Sequence, residues 1–370
     1  MNATDWMTFE NQADVPSPAL VLHLERIQEN LRRMVAIAGD PARLCPHLKT
    51  HKLPQILALQ LALGITRCKA ATIAEAEMAA AAGVPDVLLA VQPVGPAISR
   101  LLRLIQAFPK TRFSALCDSP ALVAELGHAA VHARLSLELL VDLDVGQSRT
   151  GVPPGDAAAK LAHQIHSTPG LRCGGLHAYD GHLVQSDLTE RTAACHLAFE
   201  PVWGLRDSLL AAGMPVPRVV VGGSPTFAIH AKRPDVECSP GTCVFWDAAY
   251  DAKLPDLDFL PAATLLARVI SHPGKNRLCL DLGHKAVASE MPHPRVVFPA
   301  LPEATAAAHS EEHLVLETGR ARDFPVGSVL HGIPWHICPT VALHHEAIVV
   351  QNGRAGLSWP VIGRARRLTV

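Results

Sequence analysis

The run Leu137-Glu-Leu-Leu-Val-Asp-Leu143 is nearly continuous in apolar residues rather than alternating between apolar and polar ones. Such runs are typical of parallel strands whose two faces are both covered. Similar short runs lie on both sides of it, separated by Ala- and Leu-rich stretches with helical spacing. The predicted strands are Leu44–Lys49, Ile65–Ala71, Val87–Val91, Phe113–Cys117, Leu137–Leu143, Arg172–Ala178, Arg218–Gly222 and Val236–Ser239.

Strands that alternate with helices over this length predict an α/β fold, a TIM-type (β/α)8 barrel. A doubly wound open sheet is the alternative, which periodicity alone does not exclude. No GxGxxG motif follows an early strand, and this makes the open sheet the less favoured of the two.

The sequence pattern changes after about Tyr250, where short β-type runs are separated by Pro and Gly without a long helical pattern. This pattern predicts a separate antiparallel β-domain. The expected limits are 20–245 for the barrel, and 1–19 with 246–370 for the β-domain. The predicted strands of the β-domain are Leu265–Ile270, Arg277–Leu282, Arg295–Phe298, Leu314–Glu317, Ser328–Leu330 and Ala347–Val350.

Composition excludes several classes of protein. The chain has 370 residues, 49% of them hydrophobic, and a net charge of −1, which argues against disorder and against nucleic-acid partners. The first basic residue is Arg26 and no apolar run is long enough to span a bilayer, so neither a signal peptide nor a membrane segment is predicted. The 9 cysteines form no CxxC pair, which favours reduced thiols and a cytoplasmic location.

Functional groups of a barrel gather at the C-terminal ends of its strands, and Lys49 lies at the end of the first predicted strand. A lysine at the inner end of a buried strand is costly to desolvate, and lysines in such places serve as Schiff-base amines. The alternative is a salt bridge across the barrel mouth to Asp142 or Asp144. Spacing alone does not separate these two interpretations.

A short turn, Gly222-Gly223-Ser224-Pro-Thr226, follows the seventh predicted strand. Its backbone N–H groups and hydroxyls suit a phosphate, although an ordinary tight turn is the alternative. Together with Lys49, the turn predicts a site for pyridoxal 5'-phosphate. Arg149 is then expected to hydrogen-bond to the phenolic oxygen of the cofactor, and Tyr179 to pack near its ring or phosphate. For both residues the alternative is a structural role.

A second group of candidate ligands lies near the C-terminus, in Pro334-Trp-His336-Ile-Cys338. In an extended loop, residues i and i+2 face the same way, so His336 and Cys338 are expected to share one metal ion. Imidazole with thiolate favours Zn²⁺. Two protein ligands leave room for water and a substrate oxygen, which suits a catalytic site. His345 is a further candidate ligand, although a solvated turn is the simpler explanation.

Taken in order, these segments resemble one family. Leu44-Cys-Pro-His-Leu-Lys-Thr-His-Lys52 is similar to the pattern L-R-P-H-x-K-T-H-K of the fold-type III pyridoxal-phosphate enzymes that include D-threonine aldolase and eukaryotic-type D-serine dehydratase. The likeness covers nearly the whole chain. It continues through Asp144–Gly151, Tyr179–Gly181, Gly222–Ser224, Pro240–Thr242, Asp281–Ala286, Glu311–His313 and His336–Thr340.

The resemblance implies an alanine-racemase-like barrel with a β-domain, and a homodimer with its site near the interface. It also implies that Lys49 bonds to the cofactor and that His336 and Cys338 bind a divalent metal, zinc or manganese. Two positions depart from the family pattern. Cys45 replaces the usual arginine, and Cys338 matches the zinc-dependent dehydratases, whereas the D-threonine aldolases carry an aspartate there and prefer manganese.

The function implied by this resemblance is cleavage of small D-β-hydroxy-α-amino acids, such as D-threonine, to glycine and an aldehyde. His182 is the expected base, with a surface-loop histidine as the alternative. The second candidate function is a dehydratase that converts D-serine or D-3-hydroxyaspartate to a 2-oxo acid and ammonia. A racemase, a non-catalytic cofactor-binding protein and a structural zinc-binding barrel without cofactor are the remaining alternatives.

Overall fold

The computed structural model describes residues 5–370, which divide into two compact units. The barrel unit comprises 34–49, 54–241 and 365–370. The sheet unit comprises the described residues up to 33, together with 50–53 and 242–364. Residues 1–4, which the sequence analysis assigns to the β-domain, lie outside the described part. No helix within 5–370 is both long and apolar enough to cross a membrane.

The regular elements are numbered in chain order. The strands are β1 (Ala19–His23), β2 (Arg67–Ala70), β3 (Asp86–Leu89), β4 (Arg112–Cys117), β5 (Leu137–Leu143), β6 (Leu171–Ala178), β7 (Val219–Val221), β8 (Glu237–Cys238), β9 (Ala263–Gly274), β10 (Arg277–Leu280), β11 (Val296–Val297), β12 (Thr305–His309), β13 (Leu314–Glu317), β14 (Val329–Pro334), β15 (Glu346–Gln351) and β16 (Arg354–Pro360). The α-helices are α1 (Leu24–Ala38), α2 (Pro54–Ala62), α3 (Ile73–Ala81), α4 (Pro96–Ala107), α5 (Pro120–His132), α6 (Asp156–Ser167), α7 (Leu188–Ala211), α8 (Phe227–His230), α9 (Ala248–Lys253) and α10 (Ile337–Leu343).

The barrel unit contains the parallel strands β2 to β8, each hydrogen-bonded to the next in sequence order. The segment 44–47 completes the ring, because Leu44 forms a parallel bridge to Cys238 of β8 and His47 forms one to Lys69 of β2. The predicted (β/α)8 barrel is therefore confirmed, and the doubly wound open sheet is wrong. All residues of β5 are buried, as its continuous apolar sequence predicts.

The interior of the barrel is filled in layers by side chains at alternate strand positions. Cys45 packs in an apolar layer whose other members are Leu88, Leu116, Leu140 and Val220. Asp142 comes two residues after Leu140 on β5 and so points the same way, one layer nearer the C-terminal ends of the strands. The alternation therefore carries polar side chains of β5 to the end of the barrel where a TIM-type site is expected.

A charged cluster lies on the other side of the apolar layer, where the strands begin. The guanidinium of Arg218 donates to Asp86 Oδ1 at 3.1 Å and to Glu237 Oε2 at 2.7 Å, and all three residues are buried. Arg218 Nη2 also lies 4.0 Å from Cys45 Sγ. A guanidinium thus reaches the position where the family pattern has its arginine, but it comes from the chain just before β7.

The sheet unit is a nine-stranded sheet with the main order β12-β13-β10-β9-β1-β15-β16, while β14 pairs with β9 and β11. Its pairs are antiparallel except β1 with β15, which is parallel. Each run predicted after Tyr250 overlaps a strand, whereas β1, β12 and β16 were missed.

The expected barrel start at residue 20 needs correction, because Ala19–His23 pairs within this sheet. The five residues of β1 are all buried. A continuously apolar strand of this length looks the same in a barrel and in a covered sheet, so the sequence alone did not separate the two. The remaining domain limits stay a proposal.

Candidate active site

A cavity lies at the C-terminal ends of the barrel strands, where the site of a TIM-type barrel is expected. It brings together three residues predicted from the sequence, Lys49, Arg149 and Tyr179. The wall consists of His47, Lys49, Lys69, Ala90, Leu116, Asp142, Leu143, Asp144, Gln147, Arg149, Thr150, His177 and Tyr179. A second cavity shares Lys49, Asp142 and Arg149 with the first and extends to Gln92 and Asp118.

Lys49 lies in a 3-10 turn, Leu48–Thr50, that follows the segment bridged to β8 and β2. The side chain is half-buried, and its Nζ lies 5.6 Å from the centroid of the Tyr179 ring. Because the regular segment ends before the turn, the amine reaches the cavity rather than the apolar layer below. The position suits an amine that bonds to a ligand.

Three cations surround the ring of Tyr179. Nζ of Lys49, Nζ of Lys69 and Cζ of Arg149 lie 5.6, 5.3 and 5.2 Å from its centroid, within the range of cation–π attraction. Arg149 is exposed, whereas Lys69 is only 2% exposed. So many positive groups at one end of the barrel favour an anionic ligand there.

The turn after β7 brings its backbone close to two aromatic side chains. Gly222 has a φ of 76°, and a Cβ on it would lie 2.6 Å from Cδ2 of His230. A Cβ on Gly223 would lie 2.9 Å from Cε2 of Tyr179. Neither position has room for a side chain, so Gly223 brings bare backbone against the ring that the cations surround and Gly222 brings it against the ring of His230. This arrangement fits a phosphate cradle.

The two hydroxyls of the turn hold it in place. Thr226 Oγ1 donates to Asp180 Oδ1 at 2.9 Å, and Ser224 Oγ accepts from the backbone N–H of Gly241 at 3.1 Å. Both residues are buried. Their contacts in this structure are therefore within the protein. The backbone N–H groups of the two glycines also have partners, because Gly222 donates to Ala178 O at 3.0 Å and Gly223 donates to Thr226 Oγ1 at 3.4 Å.

Asp180, Cys195 and His230 lie beneath this turn, and their potential ligand atoms are all within 4.8 Å of one another. These residue types bind metals, but hydrogen bonds account for the cluster without an ion. Asp180 Oδ2 lies 2.8 Å from His230 Nε2, which in turn lies 3.5 Å from Cys195 Sγ. Burial raises the pKa of the Cys195 thiol to about 12, so it stays protonated.

A polar layer that the sequence analysis missed lies between the apolar layer and the cavity. His177 Nε2 lies 3.3 Å from Lys69 Nζ, and His177 Nδ1 lies 2.7 Å from Asp142 Oδ1. His47 belongs to the same wall, and burial holds the pKa of its imidazole well below the usual value. Polar residues two apart from core residues on buried strands were the signal that would have found this layer.

His182 is not among the residues that line the two cavities. The residue is exposed, and its Nε2 would lie 3.2 Å from a Cβ on Gly146. Gly146 belongs to the loop after β5 that contributes Asp144 and Gln147 to the cavity wall. The role of His182 as a base stays a prediction.

In the sheet unit, His336 and Cys338 lie at the start of α10 rather than in an extended loop. His336 precedes the helix as its N-cap, and Cys338 is the second helical residue. The expected extended geometry is wrong because the apolar run Ile-Cys-Pro-Thr-Val-Ala-Leu packs as a short helix, with a proline in its first turn. The two side chains nevertheless hydrogen-bond to each other.

The surroundings of this pair supply oxygen donors that the sequence analysis missed. His336 Nδ1 lies 2.5 Å from Glu290 Oε1, and Cys338 Sγ lies 3.2 Å from Thr50 Oγ1 and 3.6 Å from Thr242 Oγ1. An imidazole, a thiol and a carboxylate at one place form a donor set that Zn²⁺ accepts. His345, the further candidate, is exposed.

The pair is electrostatically coupled. Burial opposes the charge on each partner, but the contact with Cys338 and the hydrogen bond to Glu290 raise the pKa of His336 to about 9. Burial likewise works against ionisation of Cys338, yet the hydrogen bond from His336 lowers the pKa of this thiol. A thiolate is the form of cysteine that binds metals.

Comparisons with known proteins agree with this architecture. A model of the alanine racemase N-terminal domain matches residues 22–248, and a model of a serine dehydratase domain matches residues 262–350. The chain is 33% identical to a D-threonine aldolase of Arthrobacter sp over 359 residues, which is 95% of this chain and 93% of that protein.

Two further similarities point to related enzymes. The chain is 29% identical to the D-threo-3-hydroxyaspartate dehydratase of Delftia sp. (strain HT23), over 88% of this chain and 92% of that protein. The crystal structure of D-threonine aldolase from Filomicrobium marinum superposes with a TM-score of 0.89 at 29% identity, covering 95% of this chain and 96% of that one.

Proposed function

The chain belongs to the family of alanine-racemase-like enzymes that includes D-threonine aldolase, and from this premise we propose that it is an aldolase. Its substrates are D-β-hydroxy-α-amino acids of the D-threonine type, and its products are glycine and an aldehyde. The lyase class follows from the relatives, whereas the aldolase reaction is the proposal. One observation supports it most, namely the cavity in which Lys49, Arg149 and Tyr179 meet.

The cavity fits pyridoxal phosphate. Lys49 would bond to its aldehyde, the turn that contains Gly222 and Gly223 would hold its phosphate, and Arg149 would hydrogen-bond to its phenolic oxygen. When bound, the cofactor supplies a sink for the electron pair released at the Cα of the substrate. Tyr179 packs against Gly223, and Lys49 and Arg149 lie beside its ring.

A divalent metal fits the donors of the sheet unit. His336 and Cys338 would bind it, and Glu290 would either orient the imidazole through Nδ1 or contribute a carboxylate oxygen. When bound, the ion acts as a Lewis acid that lowers the pKa of the β-hydroxyl of the substrate. Thr50 and Thr242 hold the thiolate through their hydroxyls, which keeps Cys338 in place for an ion.

The β-hydroxyl must lose its proton for the carbon–carbon bond to break. His182 is the candidate base, because it lies against Gly146 in the loop that lines the cavity with Asp144 and Gln147. His177 is unsuited to this task, since both of its ring nitrogens already face partners, Lys69 and Asp142. His182→Ala should therefore lower kcat about 10²-fold or more.

Product analysis tests the function directly. Purified protein with pyridoxal phosphate and Mn²⁺ or Zn²⁺ should convert D-threonine to acetaldehyde and glycine, and L-threonine should not react. Lys49→Ala should abolish both the visible absorbance of the cofactor and the cleavage. Lys110→Ala, at an exposed lysine, is the matched control and should change neither. A colourless wild-type protein after incubation with the cofactor would overturn the proposal.

A dehydratase is the second candidate, favoured by the cysteine at position 338 and by the similarity to the Delftia enzyme. It would release ammonia and a 2-oxo acid from D-serine or D-3-hydroxyaspartate. The same assays with these substrates separate the two reactions. Oxo acid formed from them, without acetaldehyde from D-threonine, would replace the aldolase proposal with this one.

A further inference from the structure

Lys69 is a buried lysine that the proposed reaction has not used. It lies on β2, is 2% exposed, and contributes to the same cavity wall as Lys49. The fold offers no reason for an ammonium in this layer, because an apolar side chain would fill the barrel at lower cost. A lysine placed here at such a cost is a candidate for chemistry.

The hydrogen bonds around Lys69 define which groups carry protons. Asp142 and His177 Nδ1 are 2.7 Å apart, so the imidazole donates from Nδ1 to the carboxylate. The lone pair of Nε2 then faces Lys69 Nζ at 3.3 Å and accepts a hydrogen bond from the ammonium. Burial and the charge of Lys69 lower the pKa of His177, which keeps the imidazole neutral in this arrangement.

Charges from several elements act on Lys69. Lys49 and His47 face it from the first segment, Asp142 from β5 and His177 from β6. Burial, reinforced by Lys49 and opposed by Cys45, Asp142 and Asp180, lowers the pKa of the amine to about 8. An acid with such a pKa both gives and regains a proton near neutral pH.

Cleavage of the substrate leaves a carbon atom, Cα, that must gain a proton. When the Cα–Cβ bond breaks, its electron pair stays with Cα, and glycine forms only after Cα gains a proton. Resting on the proposed function, we infer that Lys69 is the acid that supplies the proton to Cα. A C–H bond forms, the ammonium becomes a neutral amine, and water reprotonates it. The hydroxyl has meanwhile lost one proton to the base, so the protons balance.

The placement of the two amines supports this assignment. Lys49 Nζ and Lys69 Nζ lie 5.6 and 5.3 Å from the centroid of the same Tyr179 ring. A substrate whose amino group bonded to the cofactor in place of Lys49 would carry its Cα next to the position of that amine. Lys69 lines the same cavity as Lys49, where His177 accepts its hydrogen bond and Asp142 holds the imidazole in place.

Hydrogen exchange on glycine isolates the step. Holoenzyme in D₂O with glycine and no aldehyde should exchange one of the two α-hydrogens for deuterium, followed by proton NMR. Lys69→Met should slow this exchange at least about 100-fold. Lys69→Arg should slow it as much, because a guanidinium keeps its charge but gives up no proton in this range. Lys110→Met is the control and should exchange at the wild-type rate.

Two further measurements separate this role from a structural one. With D-threonine, Lys69→Met should release about one acetaldehyde per subunit and then stall, because cleavage precedes the missing step. The visible absorbance of the holoenzyme without substrate should change with a midpoint near pH 8 that both Lys69 variants lack. This midpoint reports the charge of Lys69 beside the chromophore and does not require turnover.

The outcomes are distinguishable. Retained cofactor absorbance with lost exchange in both Lys69 variants supports the inference. Exchange within threefold of wild type in Lys69→Met overturns it, while the aldolase proposal survives. A wild-type protein without visible absorbance or acetaldehyde release overturns the proposed function itself. Lys69→Arg keeps the test valid if Lys69→Met folds poorly, because it preserves the charge.

Discussion

The two ends of the barrel differ in how their positively charged side chains are paired. Where the strands begin, Arg218 is held between the carboxylates of Asp86 and Glu237. Where they end, Lys49, Lys69 and Arg149 crowd around the ring of Tyr179. The carboxylates of this second end are engaged elsewhere. Asp142 binds His177, and Asp144 caps the backbone of its own loop.

The difference shows how to tell a structural polar layer from a functional one in the same barrel. A buried cation with matched carboxylates satisfies its charge and needs no ligand. An excess of cations in a cavity leaves a field that an anionic ligand can satisfy. The first arrangement should matter for stability and the second for binding. Substitutions at the two ends of the barrel should separate these two roles.

Removing the guanidinium of Arg218 should have the largest effect on the stability of the fold. Arg218→Leu removes the buried partner of Asp86 and Glu237 and leaves them the more exposed Arg67 and Arg112 at 3.4 to 3.8 Å, which should lower the free energy of unfolding by about 3 kcal/mol. Urea denaturation followed by circular dichroism measures the change. A loss below about 1 kcal/mol would mean that this cluster is not the structural half of the comparison.

Gly223→Ala should weaken cofactor binding at the C-terminal ends of the barrel strands, without a comparable loss of stability. The new Cβ would lie 2.9 Å from Tyr179 Cε2, so the ring must move. Affinity for pyridoxal phosphate, measured by absorbance titration, should fall about 10- to 100-fold, a cost of about 1.4–2.7 kcal/mol. Gly204→Ala is the matched control, since a Cβ on this helical glycine meets nothing within 4 Å. Unchanged affinity in Gly223→Ala would remove the turn from the proposed cradle.

Acid should lower the stability of the fold through a buried histidine at the cavity end of the barrel. Burial holds the pKa of His47 well below 6.5, so the unfolded chain binds the proton that the folded chain rejects. Stability is therefore lost as the pH falls below 6.5, by up to about 1.4 kcal/mol per pH unit for one such histidine. His47→Gln should reduce this slope between pH 6.5 and pH 5 in chemical denaturation. An unchanged slope would assign the acid sensitivity to other buried histidines, such as His23, whose pKa burial lowers to about 3.

An ion pair on the surface should have the smallest effect on the free energy of unfolding. Arg277 and Glu317 form an ion pair at 3.2 Å in which both side chains are 51% exposed. Arg277→Ala should change the free energy of unfolding by less than about 0.5 kcal/mol, because solvent screens exposed pairs. A change above about 1 kcal/mol would show that charge pairing stabilises this chain even without burial, and would weaken the contrast drawn for Arg218.

Much of the barrel was predictable because its signals are local. Each predicted barrel strand overlaps an observed strand or the bridged segment 44–47, and Lys49, Arg149 and Tyr179 were found from their places at strand ends. Lys69 and His177 were not assigned a role, since both lie within strands and their neighbours come from distant parts of the chain. Asp142 was considered only as a partner for Lys49, whereas the structure pairs it with His177.

The sheet unit was less predictable for a related reason. His336 and Cys338 were identified from their spacing, but their helical setting and the carboxylate of Glu290 were missed. Glu290 is 46 residues from His336 in the chain. No periodicity within a strand or helix relates residues that far apart.

By itself, the sequence determined the alternation of strands and helices, the barrel that follows from it and the residues at the strand ends, because each of these depends on neighbours within a few positions. Only the tertiary structure decided how buried charges are shared. It gave Arg218 two carboxylates and left Lys69 an imidazole. Electrostatic interactions act through space, and the fold brings together charged groups that lie far apart in the chain.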